Sequence, residues 1–322
     1  MERTIKIGLL GLGTVGTGVV RVIQRNGDLI RRRLGAALEI RRIARKNVER
    51  GVPETVDWRL LTSDATELLR DPEIDIIVEV MGGYEPARTY LLEAMKNGKQ
   101  VVTANKALLA VHGEELFQAA SRHRVDLLVE GSVGGGIPII QVLRESLSAN
   151  RIESLFGIIN GTSNYILTRM TEEDKEFDEV LREAQELGYA EVDPTLDIEG
   201  IDTAHKLAVL IALIYGTPVD LKEIHTEGVS GISPVDIAFA RELGYRIKLL
   251  AITKWRGASL EARVHPTLIP STHLMATVRG VFNAIYTIGD AVGPSLFYGR
   301  GAGELPTGSA VAPDGAVWIA ST

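Results

Sequence analysis

Between residue 4 and about residue 133, short β-branched runs alternate with longer stretches whose apolar residues recur at helical spacing. That alternation is the pattern of a parallel sheet covered by helices. It predicts strands over 5–10, 38–44, 74–81, 100–103 and 125–130, and helices over 15–33, 86–97 and 107–123. Each helix ends near glycine or a basic residue, as a helix C-terminus favours. After the glycines at 134–136 the rhythm changes. Pro138 suits a helix start, and a helix is predicted from there to about 149, followed by a strand over 154–159. Helices over 177–187 and 200–215 then precede neighbouring strands at 246–254 and 260–264, so the second half reads as α+β with a largely antiparallel sheet. The expected division is 1–133, 134–300 and a closing segment 301–322, with no internal repeat.

Composition narrows the functions. The chain has 322 residues, long enough for two domains or one large one, and 45% of them are hydrophobic, which can fill an ordinary core. Thirty-five basic against 42 acidic residues give a net charge of -7, which argues against a polyanion binder, so nucleic acid is not an expected partner. With no cysteine, disulfides, thiol nucleophiles and cysteine-ligated metals are excluded, and a cytoplasmic location is expected. The first ten residues lack the basic and long apolar segments of an export signal. The longest apolar run, 207–215, falls far short of the roughly 20 residues a membrane span needs, so no membrane is crossed.

The first predicted strand runs into Gly11-Leu12-Gly13-Thr14-Val15-Gly16 and then a helix. In a strand–loop–helix setting, Gly11 permits a tight turn, Gly13 lets backbone approach a pyrophosphate, and Gly16 lets helix and strand pack closely. The context supports a dinucleotide site in a Rossmann-type parallel sheet domain, against a merely structural turn. At the end of the second strand, where an NAD site usually places an acid on the ribose hydroxyl, the chain reads Ile43-Ala44-Arg45-Lys46. A guanidinium there suits a 2′-phosphate, which favours NADP with Arg45 as its partner. A solvated basic turn is the competing reading, and NAD remains open.

Lys106 follows a predicted strand at the end of the sheet where α/β folds hold ligands. A lysine at a helix start is not favoured by the dipole, which supports function only slightly. The densest chemistry lies in AQELGYAEVDPTLDIEGIDTAHK, residues 184–206, with Glu191, Asp193, Asp197, Glu199, Asp202 and Lys206. Asp202 and Lys206 are four apart and share a helix face with Leu210 and Leu213, at the rim of a buried surface. On spacing alone the pair reads as a surface ion pair worth about 0.3–0.5 kcal/mol. The acids also admit a site for Mg²⁺ or Ca²⁺, although EF-hand spacing is missing.

The stretch A-x3-G-Y-A-E-V-D-P-x2-D-I-x-G-x-D-x3-K at 184–206 resembles the signature of homoserine dehydrogenases at every position. GLGTVG at 11–16, TANKA at 103–107, EGSVGGGIP at 130–138, NGTSNYIL at 160–167 and GRGAGELPT at 299–307 agree in order, so the likeness covers residues 4 to about 311. The resemblance implies a Rossmann domain followed by an α+β catalytic and dimerisation domain. It also implies interconversion of L-homoserine and L-aspartate 4-semialdehyde with NADP or NAD, in the branch leading to threonine, methionine and isoleucine. It maps catalytic lysines onto Lys106 and Lys206, with Lys206 the proton donor, Asp202 its orienting partner, and Glu191 and Asp197 as contacts of the substrate. Gly303 is implied as a cofactor contact, and a homodimer as the assembly. The resemblance further implies a monovalent cation, usually Na⁺, held by Glu130 and the carbonyls of Val133, Gly135 and Ile137. From the residues alone, a flexible hinge without an ion fits that glycine run equally.

Family members usually continue past GRGAGELPT with a helix that returns to the nucleotide domain, and many append a regulatory ACT domain. Here Pro313 and the Asp314-Gly315 turn signal fall where that helix should run, so an altered, shortened ending without an ACT domain is expected. An aspartate-semialdehyde dehydrogenase would need a nucleophilic cysteine and is excluded. A truncated, inactive NADP-binding relative stays as the alternative.

Overall fold

The computed structural model describes residues 3–48, 51–257 and 259–321, with side chains as far as Ala312. The chain divides into two compact units, Met1–Pro138 together with Ala302–Thr322, and Ile139–Gly301.

The first unit is a parallel sheet with covering helices. In chain order it contains β1 (Arg3–Leu10), α1 (Thr14–Leu34), β2 (Ala36–Ala44), β3 (Leu61–Thr62), α2 (Ala65–Arg70), β4 (Ile76–Glu79), α3 (Ala87–Lys96), β5 (Gln100–Thr103), α4 (Lys106–His123) and β6 (Leu127–Leu128). The strand order is β3-β2-β1-β4-β5-β6, all pairs parallel, so the order reverses beside β1. Both faces of the central strands are covered, which is why β1 from Ile7 to Leu10 and β4 from Ile76 to Val78 carry no polar side chain. Ile5, Ile7 and Leu9 of β1 pack with Val19 and Ile23 of α1 and with Ile76, Val78 and Val102. The strand predicted over 125–130 shortens to two residues because the chain turns into a 3₁₀ segment at Glu130–Ser132.

The expected break at the chain's end is not found. A final helix, α11, spans Glu304–Ser321, and Val311 and Ala312 are buried in the same core as α1. The reason is close packing. A Cβ at Gly18 would lie 1.9 Å from the Glu304 carbonyl oxygen, and one at Gly308 would lie 2.5 Å from the Gly18 carbonyl carbon. Arg21 pairs with Glu304 at 2.6 Å. Pro306 falls in the first turn, where no intrahelical N–H is needed, and contacts upstream of Pro313 override its local preference.

The second unit begins with α5 (Ile139–Gln141), which passes into a π-turn over Val142–Ser146, shorter than the helix predicted to 149. It continues with β7 (Ile152–Ile158), α6 (Gly161–Glu173), α7 (Phe177–Glu186), α8 (Thr195–Ile198), α9 (Ile201–Tyr215), β8 (His225–Thr226), α10 (Pro234–Glu242), β9 (Tyr245–Arg256), β10 (Ser259–Pro270), β11 (Phe282–Gly289) and β12 (Gly293–Arg300). The sheet order is β12-β11-β7-β9-β10-β8, antiparallel except for the β8–β10 pair. The antiparallel character follows the expectation. Helices α6, α8 and α10 and strands β8, β11 and β12 were not predicted.

Candidate active site

The glycines after β1 do three different jobs. Gly11 has φ +103°, and a Cβ there would sit 2.8 Å from the Val80 carbonyl oxygen. Its N–H donates to the Ala44 carbonyl at 2.9 Å, which ties the loop to the end of β2. At Gly16 a Cβ would meet the Gly11 carbonyl oxygen at 2.3 Å, so only glycine lets α1 start this close to the turn. Gly13, the N-cap of α1, has open space where its Cβ would be. No side chain caps α1 and no acid occupies its first turn, so its leading N–H groups and dipole are available to an anion. Leu12, Thr14 and Val15 complete that loop. These features fit a dinucleotide pyrophosphate.

Arg45 lies one residue past β2, beside Ala44 and hence beside the glycine loop. Its backbone N–H donates to the Thr62 carbonyl at 3.0 Å, and Nη1 reaches the Gly51 carbonyl at 3.4 Å, a weak contact. The guanidinium is half-buried.

Sequence reasoning missed Glu79. This carboxylate at the end of β4 is fully buried. Oε1 accepts from the N–H groups of Met81 (2.7 Å) and Gly82 (3.3 Å), and Oε2 accepts from the Thr103 hydroxyl (2.6 Å). Burial pushes its pKa up, with these hydrogen bonds opposing. Thr103 Oγ1 in turn accepts from the Asn105 N–H at 3.0 Å. Asn105 caps α4 through Oδ1 to the Leu108 N–H and ties Nδ2 to the Gly83 carbonyl at 2.7 Å. The network joins two loops at the carboxyl edge of the sheet, one of them carrying Lys106, the first residue of α4. The signal was present in sequence only as an acid inside an apolar strand.

The second unit gathers part of the predicted acidic stretch. α9 is bounded by left-handed Gly200 (φ 78°) and Gly216 (φ 66°), and Asp202 stands in its first turn, where the dipole favours an anion. Lys206 Nζ lies 2.6 Å from Asp202 Oδ2, with side chains only 12% and 9% exposed. Lys206 also donates to the Ile159 carbonyl at 2.8 Å. Asn160, which caps α6 by accepting from the Ser163 N–H at 2.8 Å, donates Nδ2 to Asp197 Oδ1 (2.7 Å) and Asp202 Oδ2 (3.0 Å). Thr162 Oγ1 donates to the Tyr189 carbonyl at 2.7 Å and lies 3.1 Å from Asp197 Oδ2. One amide therefore bridges two carboxylates beside a nearly buried ammonium. Asn160 was not singled out by sequence reasoning, although an Asn before a Gly-Thr-Ser run is an N-cap signal.

Glu191 is not drawn into that cluster. Its carboxylate is exposed, and the loop is held there through its carbonyl, which accepts from Gln185 Nε2 at 3.1 Å. Asp193 is also exposed and accepts from the hydroxyl and N–H of Thr195, the first residue of α8, which hold its carboxyl below the usual range. Among the described residues no group of three acids or histidines is placed to hold a metal ion.

The run 130–137 is buried at Glu130 (5% exposed), Val133 and Ile137 (3%). Gly134 and Gly135 take positive φ, 76° and 55°, and the Ile137 N–H donates to the Gly134 carbonyl at 2.9 Å. A Cβ at Gly131 would meet Val311 at 2.5 Å and one at Gly136 would meet Pro306 at 3.1 Å, so α11 closes over the run. Gly303, with φ +124°, precedes α11, and its carbonyl accepts from the Thr307 N–H at 3.1 Å. A turn of this kind can aim carbonyls inward at a cation.

A parallel sheet ordered 3-2-1-4-5-6, with an uncapped helix behind a glycine turn at its switch point, is the architecture of the dinucleotide-binding Rossmann proteins. The description "Homoserine dehydrogenase, NAD binding domain" matches residues 11–130, and "Homoserine dehydrogenase" matches residues 138–315. The chain is 49% identical over 314 residues to the homoserine dehydrogenase of Pseudomonas aeruginosa, covering 97% of this chain and 71% of that protein. It superposes on a crystal structure of a homoserine dehydrogenase from Thiobacillus denitrificans with TM-score 0.94 and 50% identity, covering 99% of this chain and 74% of that one. A hyperthermophilic archaeal homoserine dehydrogenase in complex with NADPH aligns with TM-score 0.82 and 27% identity, covering 97% and 96%. The chain belongs to the homoserine dehydrogenase family, NAD(P)-dependent oxidoreductases.

Proposed function

We propose that the protein interconverts L-homoserine and L-aspartate 4-semialdehyde with NADP preferred over NAD, in the cytoplasmic branch leading to threonine, methionine and isoleucine. The observation that carries the reading is the nearly buried Lys206–Asp202 pair at 2.6 Å. An ammonium in that setting can hand a proton to an aldehyde oxygen as carbon is reduced and stabilise its developing charge. In the reverse direction the amine takes up the hydroxyl proton. Asp202, fixed by Asn160, orients Lys206. Asp197 shares that amide and offers its carboxylate toward the substrate's ammonium, and Glu191 is assigned the same partner, its exposed side chain free to turn toward it. Lys106 is the second catalytic lysine, its helix start set by Asn105.

The cofactor supplies or accepts the hydride when bound. Gly11, Leu12, Gly13, Thr14, Val15 and Gly16 would cradle its pyrophosphate, Arg45 its 2′-phosphate, and Lys106 and Gly303 would complete the contacts. The archaeal relative bound to NADPH and the missing acid after β2 support NADP. A Na⁺ held by Glu130 and the carbonyls of Val133, Gly135 and Ile137 would stiffen the run next to α11. A homodimer is assigned to the second unit's sheet, where Tyr298 of β12 is 55% exposed and stacks on Phe282. Among the described residues no helix is long and apolar enough to cross a membrane. The test is homoserine-dependent reduction of NADP by the purified protein. Turnover with homoserine, faster with NADP than NAD, is expected; cofactor binding without turnover would return the inactive alternative.

A further inference from the structure

Lys248 is a buried cation that the reaction does not use. It stands near the start of β9, 4% exposed, and its Nζ donates to Asn164 Oδ1 at 2.9 Å and to the Val278 carbonyl. Neither partner is charged. Burial pushes its pKa down to about 8, with Arg279 and Arg246 adding repulsion and only Glu172 opposing. A desolvated ammonium satisfied by neutral acceptors alone is costly, and its natural complement is an anion.

A cavity of about 300 Å³ opens over it, with Arg241, Arg246 and Arg279 also on its walls. Among the described residues Glu172 is the single acid lining it and is paired with Arg279 at 3.2 Å, while Arg241 pairs with Asp174 at 3.2 Å. Four cations against these two acids leave an excess of two positive charges around the cavity. The hydroxyls of Thr168 and Thr171 are spent on the carbonyls of Asn164 and Leu167, so the donors facing the space are the cations. Each arginine commits one nitrogen to a protein oxygen, Arg246 Nη1 to the Tyr245 carbonyl at 3.2 Å, and its other N–H groups can donate to an oxyanion. The volume equals that of about ten waters, which leaves room for an organic group beyond the oxyanion.

We propose that this cavity, between α6, α10 and the start of β9 and away from the Asn160 end of α6, binds a compact doubly charged oxyanion, a phosphoryl or sulfuryl group, between Lys248 and the three arginines. The site is independent of the reading of the reaction. An occupant carrying fixed negative charge would hold Lys248 protonated, so binding weakens as pH rises through about 8.

The test titrates the NADP-saturated protein, its dinucleotide loop filled, with inorganic sulfate by calorimetry at constant ionic strength. Saturable one-site binding is expected, weakened at least about tenfold in the Arg246→Gln/Arg279→Gln double variant and falling from pH 7 to pH 9 while sulfate keeps its charge. Lys248→Met removes a buried donor and threatens folding, so the rim variant carries the test. A parallel titration with glycerol phosphate separates sources: tighter binding of the ester assigns the cavity to a phosphorylated metabolite, equal binding to the free ion. No saturable heat, or heat unchanged in the rim variant, overturns the proposal.

Discussion

Replacing Asp202 by alanine separates the two readings of the 202/206 spacing. As an exposed helical pair it would contribute about 0.3–0.5 kcal/mol, and its loss would barely register. The structure puts it in another regime, because the two side chains are 12% and 9% exposed and Asp202 also accepts from Asn160. Removing one partner of a buried pair costs about 3–5 kcal/mol, since the remaining charge is stranded. Lys206 keeps the Ile159 carbonyl and a little water, so the lower end, about 3 kcal/mol, is expected. For a unit of this size that is a fall in Tm of about 6–12 °C. Because Lys206 also loses the group that aims it, kcat should fall about 100-fold, with cofactor affinity unchanged. Asp202→Asn, which keeps an acceptor but no charge, should lie between. Thermal melts and steady-state kinetics on both variants, with a double-mutant cycle through Lys206→Met, provide the assay. Melting within about a degree of wild type together with near-normal kcat would refute the burial argument.

Other outcomes follow from the same geometry. Gly16→Ala, whose Cβ would stand 2.3 Å from the Gly11 carbonyl oxygen, should lose about 1–3 kcal/mol by denaturant melt. Gly13→Ala has open space and should leave stability within about 0.5 kcal/mol while weakening NADP in a fluorescence titration. Glu79 binds its proton more tightly folded than unfolded, so it favours the fold at low pH, a contribution lost as pH rises through the raised folded value. Wild type should therefore gain stability relative to Glu79→Gln on acidification, and a difference independent of pH would contradict the assignment. Arg45→Ala should weaken NADP about tenfold or more with little change for NAD; equal losses would take Arg45 off the 2′-phosphate.

The first unit was largely legible because each of its signals is local. The run Ile5-Lys6-Ile7 into Gly11 announces strand and turn within a few residues, and β5 was placed to the residue. The second unit was harder. Helix α6 is buried over most of its length and rich in Thr, Ser and Asn, so it offers neither an amphipathic stripe nor strong propensity. Strands β11 and β12 are joined at Gly289–Gly293 by glycine-rich turn residues that mask their alternation. Long-range packing also hid the ending, because Gly18 and Gly308, which bring α1 and α11 together, lie nearly the whole chain apart. At the site, sequence spacing placed Asp202 and Lys206 on one face but carried no measure of burial, which decides their worth. Asn160 and Glu79 act through partners far along the chain, Asp202 and Thr103, and no local pattern reports that.

The most direct measurement is homoserine-dependent formation of reduced nicotinamide by Lys206→Ala beside the wild type, with NADP binding measured on the same preparations. The account predicts that turnover vanishes in the variant while NADP affinity stays within about twofold, because the ammonium handles the proton and the dinucleotide rests on the first unit. Sustained turnover, or loss of cofactor binding in place of turnover, would contradict it.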